Sequence, residues 1–244
     1  MCGRFNITTS PEELRRLFNY VEQPNFPARY NIAPTQPVPI VHLISGKRHF
    51  RLVRWGFVPS WSKEMPKTVL INARAETIEE KPSFRGAFRH RRCLIPANGF
   101  YEWQARAGGK QPFHIHRPDN APFAMAGIWE DWLTPDGSEL DSCAIVTTVA
   151  NDTLKPIHHR MPVILPQSEW DKWLGAEEAR PCDMEPLMRP ASNELLVAEP
   201  VSSRVNKAGE EGASLLDPVN PDAESRKLAS KQPKKNDKKQ LNLL

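Results

Sequence analysis

The sequence predicts an α+β fold dominated by β-structure, with a curled antiparallel sheet or barrel-like core and peripheral helices. Three observations carry this expectation. Eight short runs rich in β-branched and aromatic residues are separated by Pro, Gly and Asn turn signals. Proline accounts for 24 of the 244 residues, about twice its usual ~5% share, which favours short strands and fixed turns over long helices. Helical signals are confined to three stretches. In the first, Ser10 reads as an N-cap, Pro11 as the first helical residue and Glu13 as the closing residue of a capping box, with LRRLF ending before Asn19. The others fall near 82–90 and at 167–174, where Gly175 reads as a C-cap. The strand-like runs are VPIVHLI (38–44), HFRLVRW (49–55), CLIP (93–96), GFYEWQ (99–104), PFHIH (112–116), FAMAGIW (123–129), CAIVTTV (143–149) and MPVIL (161–165). No repeat of fixed period is visible. From about residue 220 the chain turns polar and lysine-rich, so a domain over 1–219 and a disordered basic tail over 220–244 are expected.

Composition excludes several classes of function. The length suffices for one domain with a real core. No run of eighteen apolar residues exists to span a membrane, and the N-terminus has no basic-then-apolar signal pattern. Cys2, Cys93, Cys143 and Cys182 are far apart with no CxxC pair, which suggests neither a zinc site nor a disulfide framework. A reducing, cytoplasmic or nucleoid setting, a monomer, and no metal or cofactor are expected. The net charge of +4 hides an asymmetry: residues 1–120 carry 19 Lys/Arg against 9 Asp/Glu, whereas 121–219 carry 7 against 17. A polyanion-binding face would need its positive charge gathered in this way.

Four clusters hold residues suited to chemistry. MCGRF opens the chain. With Met1 removed, as is usual when the second residue is small, Cys2 carries an α-amine and a thiol on adjacent carbons. This 1,2-aminothiol condenses with an aldehyde to close a five-membered thiazolidine ring. The second cluster is INARAET around Asn72, a side chain that donates and accepts at once and so either positions a reacting group or shapes a turn. In the third, PANGFYEW, Glu102 shares a strand face with Phe100 and Gln104, while Tyr101 and Trp103 face the other way. That carboxylate lies either on the solvent face or inside, where desolvation would raise its pKa towards neutrality. The fourth, IHHRMPVIL, offers His158 and His159 as proton shuttles, and one imidazole is expected to diverge from the other so that only one faces a site. Arg4, Arg74 and Arg160 each follow Cys2, Asn72 and His158 by two residues, which along a strand puts both side chains on one face. Arginine grips phosphate in a bidentate fork. Trp61, in a Gly/Pro-rich loop, could stack on an exposed base, whereas Trp55 reads as core.

These motifs, in the order MCGRF, YNIAPTQ, WGFVPSW, INARAET, IPANGFYEW and HHRMPVIL, resemble the SOS-response-associated peptidase family, the abasic-site processing proteins. The resemblance covers roughly residues 2–219. It implies a β-rich α+β fold and a covalent reaction with abasic sites in single-stranded DNA, with Cys2, Asn72, Glu102 and His158 as catalytic residues. It also implies that Arg4, Arg74 and Arg160 contact the DNA backbone, and it favours His158 over His159. A thiazolidine crosslink through Cys2, a lyase side reaction and autocatalytic removal of Met1 follow as expectations. Two other classes use the same residues. N-terminal-nucleophile amidotransferases also begin with MCG, and Cys2, His158 and Asn72 would suit a thiol hydrolase. A non-catalytic single-strand binder would need only Trp61 and the basic half. Replacing Cys2 separates a crosslinker from a binder.

Overall fold

A computed structural model describes residues 2–106, 109–175 and 181–223. The chain opens with β1 (Phe5–Ile7) and α1 (Pro11–Phe18), then β2 (Arg29–Ile32), β3 (Pro37–Ile44), β4 (Lys47–Trp55) and β5 (Asn72–Arg74). After α2 (Arg85–His90) come β6 (Arg92–Ala97), β7 (Gly99–Arg106), β8 (Gly109–His116), β9 (Phe123–Leu133) and β10 (Glu139–Val149). Then follow β11 (Arg160–Pro162), β12 (Ile164–Leu165), α3 (Trp170–Leu174) and β13 (Val197–Pro200). None of the described helices is long and apolar enough to cross a membrane.

Five strands close on themselves in the order β10-β4-β3-β6-β9 and back to β10, so the barrel-like core is a true barrel. Its pairings are antiparallel except at β4–β10, where Cys143 lies beside Trp55 in a parallel pair. A second sheet, in the order β13-β8-β7-β1-β2, packs against the barrel. Phe5, Phe100 and Ile115 from this sheet share one core with Val41, Leu94, Met125 and Ile145 of the barrel. Trp55 is fully buried there, edge-on to Phe5 at 5.1 Å between ring centroids, with its Nε1 donating to the Ile71 carbonyl at 2.9 Å.

Local signals act where the sequence places them. Ser10 Oγ accepts from the Glu13 amide while the Glu13 carboxylate accepts from the Ser10 amide, which satisfies two orphan donors at the start of α1. Asn19 and Gly175 end α1 and α3 in the left-handed region, at φ 53° and 84°. Buried Arg92 donates to the carbonyls of Phe88, Arg89 and Trp173, setting a cation against the C-terminal dipoles of α2 and α3.

One expectation needs amendment, and two others are qualified by what the structure describes. MPVIL is two strands, because β11 pairs with β10 and β12 with β9, and Val163 bridges the change of partner through bonds to Val146 and Ala126. Part of the charge asymmetry is spent in ion pairs within the molecule. Arg48 pairs with Asp171 at 2.7 Å, Arg51 with Asp141 at 3.2 Å and Arg91 with Glu130 at 3.0 Å, each joining the basic half to the acidic one. The tail expected over 220–244 lies, from 224 onward, outside the described residues.

Candidate functional site

The C-terminal half of β10 works as a splint between two motifs. On one side it pairs in parallel with β5, Ile145 beside Asn72 and Thr147 beside Arg74. On the other it pairs antiparallel with β11, Val149 beside Arg160 and Thr147 beside Pro162. The NAR and RMP segments are thereby brought to either edge of one strand. The second sheet delivers the other two. Strand β7 pairs with β1 at Phe100 and Phe5, and the Tyr101 amide donates to the Arg4 carbonyl at 2.9 Å, which draws the chain start along β7 towards Glu102.

The structure brings Cys2, Asn72, Glu102 and His158 together. Asn72 Nδ2 donates to the Cys2 carbonyl at 2.9 Å, and Asn72 Oδ1 is buried with no hydrogen-bond partner among the described residues. Glu102 Oε1 lies 3.9 Å from His158 Nδ1. Cys2 is fully buried, and its Sγ lies 3.8 Å from the Arg4 carbonyl. Burial, and next the Glu102 carboxylate, push the Cys2 thiol well above its ordinary pKa. Glu102 is on the inward face of β7, as its spacing from Phe100 requires, and burial raises its pKa. His158 is pushed down to about 4, first by desolvation, so its imidazole is neutral at physiological pH. The Arg160 amide donates to His158 Nδ1 at 3.0 Å, which leaves the ring proton on Nε2 in the tautomer we assign.

The two adjacent histidines do not diverge. Their rings stack at 4.4 Å, because 158 and 159 precede β11 in a bend where strand alternation does not apply. His159 is the exposed partner of the stack.

The arginines differ from one another. Arg74 is exposed at the end of β5. Arg4 Nη1 donates to Asn31 Oδ1 at 2.8 Å and the Val205 carbonyl at 2.7 Å, clasping the 203–206 turn to the chain start. The Arg160 guanidinium is taken up by Glu76 and Thr147. Trp61 stands on the loop between β4 and β5, 65% exposed, its Nε1 3.4 Å from the Pro82 carbonyl. Sequence reasoning missed Gln104, whose Nε2 donates to the Pro156 carbonyl at 2.9 Å and ties β7 to the turn before His158. Its place two residues beyond Glu102 on the same face was the available signal. Among the described residues no group of three or more His, Cys, Asp or Glu side chains is arranged to hold a metal ion.

Comparison with known proteins agrees with this architecture. An X-ray structure of a protein from Bacteroides thetaiotaomicron superposes with a TM-score of 0.81 at 26% identity, covering 90% of this chain and 100% of that one. The abasic site processing protein YoqW of Bacillus subtilis (strain 168) is 36% identical over 222 residues, 89% of this chain and 99% of the relative. The abasic site processing protein HMCES of Gallus gallus is 32% identical over 264 residues, 90% of this chain and 78% of the relative. The model of the SOS response associated peptidase (SRAP) family matches residues 1–208, and the chain belongs to that family.

Proposed function

We propose that this protein processes abasic sites in single-stranded DNA by forming a covalent thiazolidine through Cys2. The observation that carries this reading is the meeting of Cys2, Asn72, Glu102 and His158, drawn from four remote segments, within one partly buried cluster. An abasic sugar opens in part to an aldehyde. Once Met1 is removed, the Cys2 amine adds to that carbon and one water leaves, giving a Schiff base. Glu102, whose pKa burial raises, and neutral His158 are the groups placed to move the two protons of this step, one to the departing oxygen and one from the amine. The thiol S–H then adds across C=N: sulfur bonds to carbon, and the proton passes to nitrogen. The resulting carbon is tetrahedral. It no longer acidifies the neighbouring C–H as the Schiff base does, so strand cleavage by β-elimination is suppressed. Stopping at the Schiff base would give the lyase reaction instead, and removal of Met1 is assigned to the same site.

Asn72 would hold the reacting end of Cys2 through its carbonyl. Exposed Arg74 is the foremost candidate for a phosphate contact; Arg4 and Arg160 are the other candidates, their guanidinium groups engaged with Asn31 and Val205 and with Glu76 and Thr147, and Trp61 offers a free aromatic face to a base. The activity is assigned to residues 1–219. The hydrolase alternative requires a thiolate at neutral pH, and burial of Cys2 works in the opposite direction.

The test is a denaturing gel of the protein with a single-stranded oligonucleotide carrying one abasic site. A heat-resistant shifted band is expected. It should vanish in Cys2→Ala and behind an uncleavable N-terminal tag, which blocks the amine and spares the thiol. A band of full intensity in Cys2→Ala would remove Cys2 from the reaction.

A further inference from the structure

The unit formed by β5, β10 and β11 contains a cross-tie that the chemistry above does not use. Arg160 Nη1 and Nη2 donate to Glu76 Oε1 and Oε2 at 2.5 and 3.0 Å, and Nη2 also donates to the Thr147 carbonyl at 2.6 Å. The Arg160 side chain is only 8% exposed, and its Nε is buried without a hydrogen-bond partner among the described residues, whereas Glu76 is 46% exposed at the rim. A bidentate carboxylate fixes both the position and the plane of a guanidinium. Without it, a buried arginine charge is left uncompensated and is driven towards water.

The placement of the tie gives it a consequence for the site. Glu76 continues from the strand that carries Asn72, and Arg160 follows His158 in the strand on the far side of β10. Thr147, in the strand between them, shares the arginine and directs its own hydroxyl to the Ala73 carbonyl at 3.5 Å. The Arg160 amide in turn holds the His158 ring at Nδ1. Asn72 and His158 are thus the two ends of one continuous path of contacts whose exposed link is Glu76.

We propose that Glu76 is a positioning residue: by anchoring Arg160 it locks the NAR and HHRMP segments together, so that Asn72 and His158 keep their places around Cys2. This rests on the function proposed above. Misplacing a reacting group by about 1 Å from a distance can cost ~10²-fold in rate. The near-isosteric Glu76→Gln is therefore expected to slow single-turnover crosslinking about ten- to a hundredfold at saturating oligonucleotide, and Glu76→Asp, which keeps the charge, to recover part of the rate. Glu76→Gln combined with Arg160→Ala should be no slower than Arg160→Ala alone, because the carboxylate acts through the arginine. The His158 ring, followed by NMR without DNA, should shift in Glu76→Gln. The proposal is overturned by a wild-type rate in Glu76→Gln, by losses that multiply in the double variant, or by an unmoved His158 signal. It is equally overturned if Glu76→Gln binds DNA more tightly and reacts faster, since Glu76 would then be a phosphate stand-in competing for Arg160. A wild-type protein that forms no crosslink would sink the functional reading, while the NMR measurement would still judge Glu76.

Discussion

Strand β7 carries a buried polar cluster on each of its faces, and the two are built to different ends. Outward from the barrel, Tyr101 donates to the Tyr30 carbonyl at 2.6 Å, Trp103 Nε1 donates to Asn206 Oδ1 at 2.7 Å, and His114 Nε2 meets Asn6 Oδ1 at 3.1 Å. His116 stacks on His114 at 4.6 Å and engages the Arg117 carbonyl and Glu199. Gly99 makes room for this cluster, because a Cβ there would lie 2.2 Å from His114 Nε2. Apart from Asn6 Nδ2, these groups are spent on structural ties: Tyr101 to β2, Trp103 to the 203–206 turn, His116 to β13 and the Arg117 carbonyl, and His114 to β1. On the inward face Glu102 lies by His158, from a segment with no backbone pairing to β7, and by Cys2, and the neighbouring Asn72 Oδ1 has no hydrogen-bond partner among the described residues. Perturbed titration does not separate the faces: desolvation pushes His114 down to about 3, further than His158 at about 4. The difference is in how the polar groups are spent, and it supports the proposal that the inward face is the reacting one.

The largest expected effect tests that contrast directly. Glu102→Ala and His158→Ala should each slow crosslinking by ~10²–10⁴, the usual range for a positioned general acid or base, with oligonucleotide affinity retained. Variants at Tyr101 or His114 on the opposite face should change stability and leave the single-turnover rate in place. If His114→Gln slowed the reaction as much as His158→Ala, the division between the faces would be lost.

A smaller effect appears in the dependence of stability on pH. His114 is 5% exposed and its folded pKa lies far below the ordinary histidine value, so between those two values the unfolded chain binds the extra proton. Its contribution to stability is therefore present above about pH 6.5 and is lost as pH falls towards 3, at about 1.4 kcal/mol per pH unit. His42, pushed down to about 4 chiefly by desolvation, acts in the same direction. Urea denaturation at pH 7 and pH 5 should give a clearly shallower pH slope in His114→Gln than in the wild type. Equal slopes would mean that the outward cluster does not hold His114 neutral.

What was legible in the sequence follows the range of the forces involved. The α1 cap, the Gly175 terminus and the period-two strands rest on contacts a few residues apart, and they stand where the motifs put them. Strands β1, β5 and β13 are three or four residues long and owe their existence to partners β7, β10 and β8, so no local pattern announces them. Glu102 was legible as an inward carboxylate through its spacing from Phe100. The Glu76–Arg160 pair was not, because its members are 84 residues apart: Glu76 reads alone as an ordinary surface charge, and Arg160 reads as a phosphate contact with no sign of a carboxylate partner.

The smallest expected effect concerns the histidine stack, where the two rings lie together and do not diverge. His159 lies against His158, and its proximity adds to the desolvation that holds the His158 imidazole down. His159→Ala removes a stacked ring and a neighbouring like charge together, and both changes favour protonation of His158. The His158 pKa should accordingly rise from about 4 towards its ordinary value. Near pH 8 the ring is neutral in either protein, so crosslinking there should be almost unchanged, and the effect belongs to the titration alone. Following the His158 ring by NMR from pH 8 to pH 4 reads it directly. A midpoint that stays put in His159→Ala would mean that desolvation and the other neighbouring cations, Arg160 among them, hold His158 neutral without its stacked partner. A large loss of rate at pH 8 would instead move the reacting imidazole from residue 158 to residue 159.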